Sequence, residues 1–375
     1  MSKTQPETSA DRVTQALQTA PNTIFSRLRT PAEEFHALAE ACEQYGLDQW
    51  DLYGDGGPIA ILETEVRELL AVEAAVFFPS GIMAQQVALR IHTDRARNPR
   101  VALPDLSHLL VHEEDGPRIL HGLQYEYLTR GNRVATRANL DAIPGELGAV
   151  LVELPLRDAG CLLPTWEELV DLGAACHERG VALHIDGARL WESTPHLEHS
   201  LAEIVALADT AYLSFYKGLG ALAGAVLVGD QATVAEARVW RRRLGGTTYH
   251  ATAIAASALV GLRSKLAGIP QAVQWARQFT AALPPEITSQ PAPVHTNQFH
   301  LYTLGNAERL NRFLHQVIEE SGVAFCRPWR ATQVPGVAAT EIAVAVGEPA
   351  VTPEEAAALM KRVIDLALAE DGDSH

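Results

Sequence analysis

From about residue 60 to residue 230, short apolar or β-branched runs alternate with segments of helical periodicity. That rhythm predicts a mostly parallel sheet covered by helices. The spacing predicts helices over Leu62–Val72, Met83–Arg95 and Trp166–Arg179. Strands are predicted over Ala74–Phe78, Val101–Leu103, Ala149–Leu154, Val181–Ile185, Thr210–Phe215 and Ala225–Val228. After Gly245-Gly246 the character changes to long Ala-rich helices, Ala251–Leu266 and Gln271–Leu283, and then to a Pro-rich bend at Pro284-Pro285 and Pro291-Ala-Pro293. A shorter mixed unit follows, with strands near Gln298–Leu304 and Glu341–Val346 and helices near Ala307–Ser321 and Pro353–Leu368. The expected organisation is a large α/β domain over 46–250, with residues 1–45 and 251–375 forming an N-terminal helical segment and a small C-terminal α+β domain.

Composition narrows the class. At 375 residues the chain suits two or three domains, or one large core with a smaller appendage, and 47% hydrophobic residues exclude disorder, collagen and small disulfide scaffolds as overall descriptions. The net charge of −16 repels a phosphate backbone unless basic groups are concentrated. The one dense cluster, Arg238, Arg241, Arg242 and Arg243, reads as a helix end rather than a nucleic-acid groove. Cys42, Cys161, Cys176 and Cys326 are scattered without a C-x-x-C pair, which predicts a reduced, cytoplasmic setting. The start, Met1–Ala10, is polar, and the longest uncharged apolar stretches, Ala251–Leu262 and Gly218–Gly229, fall short of the roughly 20 residues that span a bilayer, so neither a signal peptide nor a membrane helix is expected.

Only four of the 30 basic residues are lysines. Lys3 lies in the polar start, and Lys265 and Lys361 fall on amphipathic helical patterns with a solvated face. Lys217 is different, because it follows the strand-like Thr210–Tyr216 and precedes a run of small apolar residues.

Ligands in a parallel α/β sheet collect at the carboxyl ends of the strands. Four such places carry chemistry: Pro79-Ser80-Gly81, Leu106-Ser107-His108, Asp186-Gly-Ala-Arg189 and Lys217. Ser80-Gly81 opens a helix and would aim backbone N–H groups and the positive end of the helix dipole at an anion such as phosphate. Singly, each has a plain structural reading as a turn, a helix cap or a satisfied histidine. As a set, a carboxylate and a rare lysine on separate strand ends, an anion-binding helix start and a stacking ring are what pyridoxal phosphate requires. Competing motifs fail: Gly218-x-Gly220 does not continue to G-x-G-x-x-G, and no P-loop or G-x-S-x-G occurs. His108 and His112 have helical metal-ligand spacing, yet Leu109 stands where H-E-x-x-H needs its glutamate.

Ser80-Gly81, His108, Leu183-His-Ile-Asp-Gly-Ala-Arg-Leu190 and Lys217-Gly-Leu-Gly220, with Tyr53-Gly-Asp-Gly and Glu73–Gly81, resemble the threonine aldolases and β-eliminating lyases among the fold-type I pyridoxal-phosphate enzymes of the aspartate aminotransferase superfamily. The match covers most of residues 50 to 250. It implies a large cofactor-binding domain with a mostly parallel, seven-stranded type of sheet, a small α+β C-terminal domain, and a homodimer or homotetramer with active sites at the subunit interface. It further implies pyridoxal 5'-phosphate on Lys217, Asp186 on the pyridine nitrogen, Arg189 at the phenolic oxygen, His108 stacked on the ring and Ser80 and Gly81 at the phosphate.

The chain departs from that pattern on the substrate side. Ile82 replaces the family's Thr after the phosphate-loop Gly, Tyr249 stands where an Arg follows the glycine triplet, and no Arg is in register near Thr340-Glu341. The family's His before the Leu-Pro pair is missing, and Arg157 occupies that region. Arg157 is the first candidate for the substrate carboxylate, with Arg327 and Arg330 second and Tyr53 and Tyr249 nearby in the expected site, since an Arg fork suits a desolvated carboxylate. The reaction implied is retro-aldol cleavage of a β-hydroxy-α-amino acid to glycine and an aldehyde. The alternatives are β-elimination or transamination of another amino acid, or a catalytically idle cofactor-binding protein.

Overall fold

Seven strands make the central sheet of the computed structural model, which describes residues 8–27, 29–347 and 349–372. They are β1 (Ala74–Phe78), β2 (Arg100–Leu103), β3 (Gln124–Tyr127), β4 (Ala149–Glu153), β5 (Ala182–Gly187), β6 (Thr210–Ser214) and β7 (Ala225–Gly229). Their order across the sheet is β1-β7-β6-β5-β4-β2-β3. β7 runs antiparallel to both neighbours, and the remaining pairs are parallel. β1, β4 and β6 are buried at every position, which is why they read as continuous apolar runs. The edge strand β3, Gln-Tyr-Glu-Tyr, carries no such run and is half-exposed. The sequence pattern did not predict it.

Helices cover the sheet with the expected types and small shifts of boundary. The predicted Leu62–Val72 helix starts earlier, at Gly57, and ends at Leu69, while Trp166–Glu178 begins where Thr165 and Glu168 form a reciprocal capping box. The arginine cluster is indeed the last turn of a helix, Gln231–Arg243, but Arg241 is buried and donates from Nη1 to the Phe77 carbonyl at 2.6 Å.

The chain divides into two compact units, Arg29–Ala267 and Met1–Leu28 with Gly268–His375. The expected boundaries at 46 and 250 therefore shift outward by a helix at each end. The helix Pro31–Tyr45 packs on Thr252–Lys265, which packs on Gly57–Leu69, and Arg263 pairs with Glu65 and lies over the Tyr45 ring at 4.9 Å. Lys265 on that helix is not solvated as its pattern suggested: a Cβ on Gly220 would lie 2.4 Å from its Nζ, and burial lowers its pKa.

The second unit holds a four-stranded antiparallel sheet of β8 (Ile287–Gln290), β9 (Gln298–Leu304), β10 (Arg330–Ala331) and β11 (Val337–Ala343), in the order β10-β11-β9-β8. β11 starts four residues before the predicted Glu341, because Val337–Thr340 alternates buried and half-buried small residues too weakly apolar to register as a strand. Its core joins Phe279, Phe299, Phe325 and Trp329 to the helices Ser9–Thr19, Ala307–Ser321 and Pro353–Gly372. The helical stretch Thr252–Ala281 is long and apolar enough to cross a membrane by length and composition alone. It is interrupted by a 3-10 turn at Leu266–Gly268, and Leu259, Leu262, Val273 and Phe279 on it are buried core residues. All four cysteines are free thiols.

Candidate functional site

The parallel register sets Glu153, Asp186 and Tyr212 side by side at the carboxyl ends of β4, β5 and β6. Asp186 is 1% exposed. Its Oδ1 accepts from the Ala188 N–H at 3.1 Å, and its Oδ2 has no hydrogen-bond partner among the described residues. Burial raises its pKa, against the nearby charges of Lys217 and His108. Glu153 is 6% exposed and caps two turns at once: Oε2 accepts the His108 N–H at 2.7 Å and Oε1 the Arg157 N–H at 3.0 Å. Burial, and then the charge of Asp186, push it up to about 7. On the other side, the buried Tyr212 phenol shares a hydrogen bond with Tyr216. A Cβ on Gly81 would sit 2.2 Å from the Tyr212 oxygen, so only glycine lets the helix Gly81–Ala96 begin there.

Lys217 follows β6 and is partly buried, its Nζ 5.8 Å from the Tyr216 ring centroid. Burial, then the Arg189 guanidinium, lower its pKa, which favours the uncharged, nucleophilic amine. Glu192 is sealed behind the same turn. A Cβ on Gly218 would lie 1.9 Å from Glu192 Oε1, Oε2 has no partner among the described residues, and burial pushes the carboxyl up to about 7. Arg189 leads into the 3-10 turn Leu190–Ser193 that carries Glu192. This loop is tied to β6 by Trp191 Nε1 donating to the Ser214 carbonyl at 2.7 Å and Ser214 Oγ donating to the Ala188 carbonyl at 2.6 Å.

Ser80 precedes the helix Gly81–Ala96 in extended geometry and makes no side-chain cap bond. The first-turn N–H groups of that helix have no intrahelical acceptor, and Ile82 is 40% exposed beside them. His108 opens the short helix His108–Val111, and its Nδ1 lies 3.2 Å from Glu113 Oε1. Glu113 is itself buried and accepts from both Gln85 and Gln86. His112 stands 5.0 Å from His108, ring centroid to ring centroid, with Nε2 2.7 Å from Asp158 Oδ2. Arg157 Nη1 donates to the other oxygen of Asp158 at 2.8 Å.

Tyr53 and Tyr249 are both exposed and pack edge to face at 5.2 Å, held by the Tyr53 N–H on the Tyr249 carbonyl at 3.0 Å. Beneath them the buried Asp51 accepts from Gly54 N–H, Ala251 N–H and Thr252 Oγ1. Arg330 belongs to the other compact unit and is exposed on β10, and Arg327 there pairs with Glu341. Sequence reasoning missed Glu153, Glu192, Tyr212 and Glu113. Only Glu153 left a signal, a carboxylate ending an apolar strand; the others become visible through their burial alone.

An orphaned buried carboxyl oxygen, a lysine held toward its neutral form and a glycine cradle at a helix start fit a phosphorylated pyridine aldehyde. A family model described as beta-eliminating lyase matches residues 31–304. The chain also superposes, with a TM-score of 0.87 and 32% identity over 96% of its length and 99% of the other's, on a Listeria monocytogenes protein provisionally described as an L-allo-threonine aldolase. The chain belongs to the β-eliminating lyase family. Among curated relatives of this β-eliminating lyase, low-specificity L-threonine aldolase 1 of Arabidopsis thaliana is 29% identical over 78% of this chain and 84% of its own. Aldolase vrtJ of Penicillium aethiopicum is 35% identical, and the chain spans about half of that protein's length, 55%. The α/β architecture is that of the threonine-aldolase structures, a lyase fold of the pyridoxal-phosphate enzymes.

Proposed function

We propose that this β-eliminating lyase family member uses pyridoxal 5'-phosphate to cleave the Cα–Cβ bond of a β-hydroxy-α-amino acid, giving glycine and an aldehyde. The observation that carries the proposal is Asp186 Oδ2, buried without a hydrogen-bond partner among the described residues, at the strand end next to the one that leads to Lys217. When bound, the cofactor supplies an electron sink for the pair left on Cα. The chain's own residues then have defined tasks. Lys217 would offer its amine to the aldehyde, Asp186 would hold a proton on the pyridine nitrogen, and Ser80 with Gly81 and Ile82 would present N–H groups to the phosphate. His108 would stack on the ring and Arg189 would hold its phenolic oxygen. The names of the Arabidopsis and Listeria relatives support the substrate class.

Arg157 remains the candidate for the substrate carboxylate, ahead of Arg330 in the other unit, because its backbone is pinned by Glu153 within the cluster. The exposed aromatic edge of Tyr53 and Tyr249, with Trp50 and Leu52, supports a homodimer or homotetramer that closes the site between subunits. Four free thiols support a reducing, cytoplasmic compartment.

The test is borohydride reduction of the purified protein followed by peptide mapping, then a panel of amino acids assayed for aldehyde, ammonia and keto acid. Pyridoxyl label on Lys217 and aldehyde release are expected. Label on Lys265 or Lys361, or no label, overturns the cofactor assignment; ammonia and keto acid instead of aldehyde make the reaction a β-elimination or a transamination.

A further inference from the structure

Retro-aldol cleavage needs a base for the β-hydroxyl proton, and most acidic or basic groups around His108 are already committed. Glu113 is buried and bonded to Gln85, Gln86 and His108. Both Glu153 oxygens hold backbone N–H groups. Glu192 is sealed against Gly218. His108 would stack on the cofactor ring, and its Nδ1 is turned to Glu113.

His112 is different. Its side chain is 37% exposed, it lies one helical turn from His108 at 5.0 Å between rings, and its Nε2 is 2.7 Å from Asp158 Oδ2. The other oxygen of Asp158 accepts from Arg157 Nη1 at 2.8 Å, so the carboxylate is fixed from both sides. An ionised carboxylate only accepts, so this contact places the ring proton on Nε2 and leaves the lone pair on Nδ1. A half-exposed imidazole with its tautomer set by an oriented carboxylate is the arrangement of a general base.

We propose that His112, oriented by Asp158, removes the β-hydroxyl proton of the substrate; this rests on the retro-aldol reading above. The O–H proton passes to Nδ1, the electron pair left on oxygen becomes the second bond of the aldehyde carbonyl, and the Cα–Cβ pair stays on the glycine carbon. That carbon needs one proton to leave as glycine and takes it from solvent, while the half-exposed His112 returns the proton it gained to solvent, so the step balances with no further co-reactant. Arg157 and His112 share Asp158, which ties the residue expected at the substrate carboxylate to the residue acting on its hydroxyl.

The experiment compares two reactions of the holoenzyme. Exchange of the glycine α-proton with deuterated water needs the carbanion but no hydroxyl chemistry, whereas cleavage of a β-hydroxy amino acid needs both. His112→Asn should lower cleavage roughly 10²–10⁴-fold, the usual contribution of a general base, while glycine exchange and the cofactor dissociation constant stay within about threefold. Asp158→Asn should lower cleavage less, and the nitrogen-15 spectrum of the apo protein should lose the hydrogen-bonded Nε2 proton signal of His112. Unchanged cleavage in His112→Asn, or cleavage and exchange falling together, overturns the assignment and leaves the parent reading standing. Wild-type protein that neither exchanges glycine nor cleaves overturns the parent reading and the assignment with it.

Discussion

Glu153 and Asp186 face each other in register on neighbouring parallel strands, two carboxyls both closed off from water. They do different work. Glu153 spends its oxygens on the His108 and Arg157 N–H groups and so fixes the turns after β2 and β4, while Asp186 keeps Oδ2 without a partner among the described residues.

Replacing Glu153 by Leu would strand two buried N–H donors at about 1–3 kcal/mol each. We expect Glu153→Leu to lose about 2–6 kcal/mol in urea unfolding, and Glu153→Gln, which keeps one acceptor, to lose about half of that.

Asp186→Ala should behave in the opposite way. The fold loses one bond to the Ala188 N–H, about 1 kcal/mol, so thermal unfolding of the cofactor-free chain barely moves. Turnover should fall roughly 10²–10⁴-fold, since breaking a buried charged pair costs about 3–5 kcal/mol. Retained turnover with a large loss of stability would make Asp186 a structural cap.

Gly81→Ala tests the cradle. Its Cβ would meet the Tyr212 oxygen at 2.2 Å, an overlap that costs about 1–3 kcal/mol and displaces the helix start. Both the melting temperature and cofactor affinity should drop. Because the Tyr212 ring carbons Cζ and Cε2 would also lie at 2.5 and 2.7 Å, the whole ring has to go: the Gly81→Ala/Tyr212→Ala double variant should lose less than the sum of the two single variants, and a purely additive double variant would refute the contact.

Glu192 predicts a pH effect. Its carboxyl sits at about 7 in the folded chain against an ordinary 4.5. A raised pKa means that the folded state holds the proton more tightly, so this stabilisation is complete below about 4.5 and is lost as pH rises through about 7. In the cofactor-free chain, Glu192→Gln should match wild type near about pH 4 and be more stable by up to about 3 kcal/mol near about pH 8. Urea midpoints at the two pH values read it directly.

Several parts of this protein were already written in the amino-acid order. Strands buried on both faces, such as Ala74–Phe78, need unbroken apolar runs, and helices such as Ala307–Ser321 need a 3.6-residue stripe, so both leave local patterns. The candidate site residues at strand ends were legible for the same reason: Asp186 ends one apolar run and Lys217 follows another, and both runs are buried strands. What the tertiary structure alone decided is which groups meet. The edge strand Gln124–Tyr127 exists through pairing with Arg100–Leu103, not through its own composition. The helix Pro31–Tyr45 joined the large unit because its partner Thr252–Lys265 lies there. His112, read in sequence as half of a failed metal motif, acquired Asp158 from 46 positions away. Glu192 acquired its raised pKa from burial in the folded chain, sealed against a glycine 26 residues on. Burial and hydrogen-bond partners are set by contacts between segments far apart in the chain, and one-dimensional periodicity records only which face of a segment is apolar, not what that face will touch.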